Sequence, residues 1–136
     1  MEKVITILLI DDDAFIRMLV KDIFWVHGRG KYEVYETENI GEAEKFLEEK
    51  KPDLIFLDLM FPEDGLGMTS SLSFLKKIKT NPKTKDIKVI VFSGYPEFKK
   101  EHLKELGAEE FLIKGEQLPK ELFEITEKII KRNKRK

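Results

Sequence analysis

The sequence predicts an α/β fold in which one five-stranded parallel sheet is covered by helices on both faces. Five apolar or alternating runs take turns along the chain with five segments of helical periodicity. Three of those runs are apolar apart from Thr6 and Lys88, as suits strands buried on both faces. Glycine and proline breaks fall at several of the junctions.

The first run, Val4 to Ile10, is rich in β-branched residues and leucine and reads as a strand. Ile16, Leu19, Val20, Ile23 and Phe24 then recur at helical spacing, and Gly28 and Gly30 end that helix. Tyr32 to Thr37 alternates, the pattern of a half-buried strand. Ile40, Ala43 and Leu47 mark a second helix, which stops before Pro52 because the residue preceding a proline is pushed out of the helical region. Leu54 to Leu57 is a third strand, closed by Asp58. Leu59 to Ser71, carrying Pro62, Gly65 and Gly67, reads as a loop. Leu72, Leu75 and Ile78 give a third helix, broken at Asn81-Pro82. Ile87 to Phe92 is a fourth strand, and Phe98, His102, Leu103 and Leu106 trace a fourth helix ended by Gly107. A short strand, Glu110 to Ile113, is followed by a fifth helix through Leu122, Phe123, Thr126, Ile129 and Ile130.

Right-handed crossovers leave few ways to connect such a chain. The simplest is a flavodoxin-like (βα)5 three-layer sandwich with strand order 2-1-3-4-5. There the chain reverses direction between strands one and three, and ligands bind beyond their C-terminal ends.

Length and composition set the outer bounds. At 136 residues the chain is expected to form one domain, 1–136, with a core of about 3–132 and a basic tail over 133–136. An apolar share of 41% excludes the disordered class. A net charge of -1 argues against a dedicated nucleic-acid binder, although six of the last nine residues are basic. With no cysteine, thiol nucleophiles and cysteine-based zinc sites are excluded. No apolar run approaches the roughly 20 residues of a membrane helix, and three aspartates follow the first run where a signal peptide would continue to a small-residue cleavage site. The expectation is a soluble, cytoplasmic protein that does not engage membranes.

The chemistry concentrates at predicted strand ends. The first strand ends in Asp11-Asp12-Asp13 and the third in Asp58, and the predicted order makes these ends neighbours. Carboxylates crowded in one crevice repel unless some take up protons or a cation relieves them. All-oxygen ligands favour Mg²⁺, Mn²⁺ or Ca²⁺ over zinc. Asp13 is equally well read as the cap of the first helix. Strand four ends in Ser93-Gly94 and strand five in Ile113-Lys114, so a hydroxyl and an ammonium border the same crevice, as suits a phosphoryl group. Taken singly, Ser93 reads as well as a helix cap, and Lys114 as one surface lysine among 21.

Ile10-Asp11-Asp12, Leu57-Asp58, Ser93-Gly94 and Lys114, at these separations, resemble the receiver domain of two-component response regulators, and the stretch Gly107 to Ile113 resembles what that family carries before its lysine. The likeness covers nearly the whole chain and is closest to the stand-alone, chemotaxis-regulator type. It implies a role for each residue. Asp58 is the nucleophile that takes a phosphoryl group from a phosphohistidine on a sensor histidine kinase or a histidine phosphotransfer protein. Asp11, Asp12, Asp58 and the backbone carbonyl of Met60 hold Mg²⁺, or Mn²⁺ in its place. Lys114 and Ser93 contact phosphoryl oxygens. Ser93 and Phe111 form the switch, which in Phe111 works through packing alone, unless that ring is simply a core aromatic. Output passes through a downstream protein or a phosphorelay, and the chain is not an enzyme beyond its own phosphorylation and dephosphorylation.

The departures carry expectations too. Gly115 stands where the family usually has a proline in a cis bond; a cis bond before a non-proline costs about 2.5–4 kcal/mol, so a trans bond and an unusual Gly115 backbone angle are expected. The 63–71 segment is an insertion beside the acceptor, serving either to cover it or as tolerated loop length. Met60 and Tyr95, at two positions that in this family influence hydrolysis of the aspartyl phosphate, are bulky and neither acidic nor an amide that could orient a water, which predicts slow self-dephosphorylation. Phe15, Met18 and Trp25 lie partly away from the inward stripe of the first helix, where receivers commonly meet a phosphodonor. Two other functions compete. A Mg²⁺-dependent small-molecule phosphatase needs a second aspartate two residues after its nucleophile; Met60 occupies that place after Asp58, although Asp11 and Asp13 keep the spacing. A scaffold that no longer accepts phosphate fits poorly with an intact acidic set.

Overall fold

A computed structural model describes residues 3–59, 68–94 and 100–132. Along the chain run β1 (Ile5–Ile10), α1 (Ala14–Gly28), β2 (Tyr32–Thr37), α2 (Ile40–Glu49), β3 (Leu54–Leu57), α3 (Met68–Thr80), β4 (Lys88–Ser93), α4 (Lys100–Glu105), β5 (Glu110–Ile113) and α5 (Pro119–Arg132). The strands form one sheet in the order β2-β1-β3-β4-β5, every adjacent pair parallel. This is the expected flavodoxin-like arrangement.

Alternation along the strands splits the core into two layers. Ile7, Leu9, Phe56, Ile90, Phe92 and Leu112 face α1 and α5, against Val20, Phe24, Leu122 and Ile129. Leu8, Ile10, Ile55, Leu57, Val89 and Val91 face the other way, against Ala43, Phe74, Leu75, Ile78 and Leu103. Side chains of successive strand residues point to opposite faces, so a strand between two helix layers must be apolar at every position. The α1 helix starts where the Asp13 carboxylate accepts the backbone N–H groups of Phe15 and Ile16, and it ends at Arg29 in the left-handed conformation. Asn39 caps α2 the same way, accepting from the Glu42 N–H.

Two boundaries differ from the sequence expectation. The α3 helix begins at Met68, inside the stretch read as loop, so the 63–71 segment is partly helical. Serine and threonine prefer caps and turns to helix interiors, which hides this turn from a propensity reading. Ser71 is buried there, and its hydroxyl donates to the backbone carbonyl of Asp58 at 3.0 Å. Strand β4 is shifted by one residue: Ile87 bonds back to Thr84, while Ser93 pairs with Ile113. Residues 60–67, 95–99 and the 133–136 tail lie outside the described residues. Among the described residues, no helix is long and apolar enough to cross a membrane.

Phe24 joins α1 to the sheet and to α5, its ring 5.1 Å from Tyr32, 6.1 Å from Phe56 and 5.6 Å from Phe123. Phe24→Ala is expected to destabilise the fold by about 3–5 kcal/mol, read from chemical unfolding followed by circular dichroism.

Candidate functional site

Register brings the acidic residues together. Ile10 and Leu57 are paired residues on neighbouring parallel strands, and the Asp58 N–H donates to the Ile10 carbonyl at 3.0 Å. Asp11 and Asp58 therefore leave the sheet side by side at its C-terminal edge. Asp11, Asp12 and Asp58 each offer a carboxylate oxygen within 4.8 Å of the others; Asp11 and Asp58 are buried and Asp12 is exposed. Three anionic oxygens so close are the donor set of a hard divalent cation, and one exposed member leaves a side open to water and a ligand.

Lys114 follows β5 and supplies the opposing charge. Its ammonium lies 2.7 Å from Asp11 Oδ2 and 3.4 Å from Asp58 Oδ2, with only 17% of the side chain exposed. Burial by itself pulls its pKa down, but the hydrogen bond to Asp11 and the charges of Asp58 and Asp11 outweigh that, and the value stands above the ordinary lysine range. Ser93, fully buried at the end of β4, accepts the Lys114 N–H on its backbone carbonyl at 2.8 Å. The carrier strands thus bring Asp11, Asp12, Asp58, Ser93 and Lys114 to one edge, as their spacing predicted.

The remaining expectations divide. Asp13 is a helix cap: its carboxylate accepts the Phe15 N–H at 2.9 Å and the Ile16 N–H at 3.4 Å, and it is no member of the acidic trio. That removes the Asp11/Asp13 pairing on which a phosphatase reading rested. Phe111 is buried in the α4-side core with Leu103 and Ala108. No cis peptide bond occurs among the described residues, and Gly115 takes φ 89°, a left-handed angle that glycine adopts without strain, as expected after a trans bond. Phe15, Met18 and Trp25 are exposed on α1, and Leu19 and Val26 join them. His27 lies against Phe123, their rings 5.6 Å apart, and neither His27 nor His102 belongs to the acidic trio. Met60, Tyr95 and the rest of residues 60–67 lie outside the described residues.

Two residues escaped the sequence reading. Ser71 carries no motif. Arg17 is a charged residue spaced with Val20 and Phe24 on the inward stripe of α1, and that misfit was the available signal. Its NH1 donates to the Asp11 backbone carbonyl at 2.7 Å.

A doubly wound sheet with three carboxylates, a serine and a lysine at its switch point defines a class: domains that receive a phosphoryl group with the help of a cation. The chain belongs to the response regulator receiver domain family, which its residues 7–127 match. It is 35% identical over 128 residues to the chemotaxis protein CheY of Thermotoga maritima, covering 92% of this chain and 97% of that protein. It is 34% identical over 111 residues to the phosphate regulon transcriptional regulatory protein PhoB of Pseudomonas aeruginosa, covering 80% of this chain but only 44% of that protein. Among solved structures, the Mn²⁺-bound form of a response regulator superposes with a TM-score of 0.72 at 27% identity, covering 91% of this chain and 90% of that one.

Removing one partner of a buried ion pair leaves the other charge uncompensated. Lys114→Met is expected to destabilise the fold by about 3–5 kcal/mol at neutral pH. The raised lysine pKa gives the sign of the pH effect: the stabilisation is fully present below the unfolded-state value and is lost as pH rises through the folded-state value. Unfolding curves should therefore show wild type weakening above the ordinary lysine range in a way that Lys114→Met does not.

Proposed function

We propose that the chain takes a phosphoryl group onto Asp58 from a phosphohistidine on a sensor histidine kinase or a histidine phosphotransfer protein, with Mg²⁺ held by Asp11, Asp12 and Asp58. The observation that carries this reading is the meeting of those three carboxylates with the Lys114 ammonium at the ends of β1, β3 and β5. In the transfer an Asp58 carboxylate oxygen forms the new P–O bond as the P–N bond of the donor breaks, and the electron pair leaves with the imidazole nitrogen. The cation supplies charge neutralisation for the phosphoryl oxygens and stands equally well for Mn²⁺. Lys114 offers a second positive charge to an equatorial oxygen, and buried Ser93 a hydroxyl donor at the neighbouring strand end. A Met60 carbonyl as further ligand and a Ser93–Phe111 switch complete the proposal.

The chain serves as a single receiver domain over 1–136, in the cytoplasm. It signals through a partner protein or a phosphorelay, without binding nucleic acid and without turning over a separate substrate. The exposed Phe15, Met18 and Trp25 of α1 are the proposed contact with the phosphodonor. A small-molecule phosphatase reading is not favoured, because Asp13 is spent on the α1 cap.

Incubation with acetyl phosphate and Mg²⁺, followed by intact mass, tests this. Wild type should gain one phosphoryl group, chelation of the cation should prevent it, and Asp58→Asn should gain none. Labelling of Asp58→Asn to the wild-type extent would reject the assignment.

A further inference from the structure

Arg17 is the one charged residue on the buried face of α1, and each of its three guanidinium nitrogens faces a partner. NH1 donates to the Asp11 carbonyl at 2.7 Å, Nε to Glu36 at 2.7 Å, and NH2 lies 3.5 Å from Glu38. The first contact is a main-chain one, and its consequence is geometric. The Asp11 carbonyl belongs to the peptide unit that joins Asp11 to Asp12. A peptide unit is planar, so fixing the direction of its carbonyl fixes the Asp12 N–H and Cα as well. The other sides of Asp11 are held independently: its N–H donates to the Thr37 carbonyl at 3.2 Å, Oδ1 accepts the Asp13 N–H at 2.9 Å, and Oδ2 faces Lys114. The Arg17 contact acts directly on the peptide between the two acidic residues.

We infer that Arg17 is a positioning residue for the cation site, setting the peptide plane between Asp11 and Asp12 from a support anchored on Glu36 and Glu38 at the end of β2. The inference rests on the proposed reading of Asp11 and Asp12 as cation ligands. Arg17 does not compete with the cation, because its own charge is matched by the two glutamates. Hydrogen bonds from Lys21 and Arg17 hold the Glu36 carboxyl below the usual carboxylate range, so the support stays ionised at neutral pH. The fork is also what a lysine would lack: an ammonium can reach the carbonyl or the glutamates but has no planar spread to bridge both. Arg17 also shares the wall of a small cavity with Asp11, Asp58, Phe56 and Phe92.

Residues that orient metal ligands typically cost about 10–100-fold in affinity when replaced. The test is Mn²⁺ titration of the full chain, followed by electron paramagnetic resonance of the free ion, well below the melting temperature. Arg17→Lys and Arg17→Met should weaken Mn²⁺ binding about 10-fold or more. Glu36→Gln, which loosens the support but leaves the guanidinium, should weaken it less. The control is Lys79→Met, which breaks the Lys79–Glu109 pair (3.0 Å) at the opposite edge of the sheet. It should lower the melting temperature and leave Mn²⁺ affinity unchanged, separating a positioning effect from lost stability. If Arg17→Met does not fold, Arg17→Lys and Glu36→Gln decide. Wild-type affinity in folded Arg17 variants overturns the inference alone. Failure of the wild-type chain to bind Mn²⁺ overturns the cation-site reading and the inference with it.

Discussion

The in-register ending of β1 and β3 is the constraint on which the rest depends. Paired strands that stop together must release their next residues into the same space, and here those residues are Asp11 and Asp58. Two buried carboxylates this close repel each other and need a neighbouring positive charge. Lys114 supplies the compensation. It comes from the far side of β4, so the ion pairing also ties the end of β5 back to the centre of the sheet. The site and the fold are stabilised by the same contact. Deleting its charge is therefore expected to weaken both.

Three consecutive aspartates divide three tasks. Asp11 is buried and held from several sides, Asp12 faces solvent within the acidic trio, and Asp13 turns its carboxylate to the first N–H groups of α1. The division follows from position. The residue that continues β1 inherits its ladder, and Asp11 still donates to Thr37. The residue before a helix has extended geometry and unsatisfied N–H groups ahead of it, and Asp13 satisfies two. Asp12 lies between and belongs to the acidic trio. A rigid core beneath makes this ordering durable, because Leu9, Ile10, Phe56 and Leu57 under the site are all almost completely buried.

Much of this was legible in the sequence. Where two helix layers demand buried strands, every residue must be apolar, and Val4 to Ile10, Leu54 to Leu57 and Ile87 to Phe92 announced themselves. The strand order then placed Asp11, Asp12, Asp58, Ser93 and Lys114 at one edge without any contact being known. What stayed hidden is polar and tertiary. The first turn of α3 is written in threonine and serine, whose local preference is against helix, and Ser71 is buried against the Asp58 carbonyl. In the sequence, Arg17 is only a charged residue spaced with Val20 and Phe24. Only the proximity of the β2 end, where Glu36 and Glu38 wait, turns that residue into a bridge. Periodicity reports which face is buried; it does not report which polar group on that face has a partner.

Gly115 shows how a family pattern can change while the placement of its neighbour is retained. A proline in that place would fix φ near −65°, whereas this chain runs through φ 89°. The two geometries direct the following segment differently, yet Lys114 still reaches Asp11 and Asp58. The reason lies before the glycine rather than at it. The Lys114 N–H is held by the Ser93 carbonyl, which extends the β4–β5 pairing by one step, so the lysine is oriented by the sheet on its N-terminal side. Once that bond is made, the residue after it only has to leave room, and a glycine in the left-handed region does so with nothing within 4 Å of where a Cβ would sit. Placement of the ammonium is therefore a property of strand register, the same constraint that brings the aspartates together.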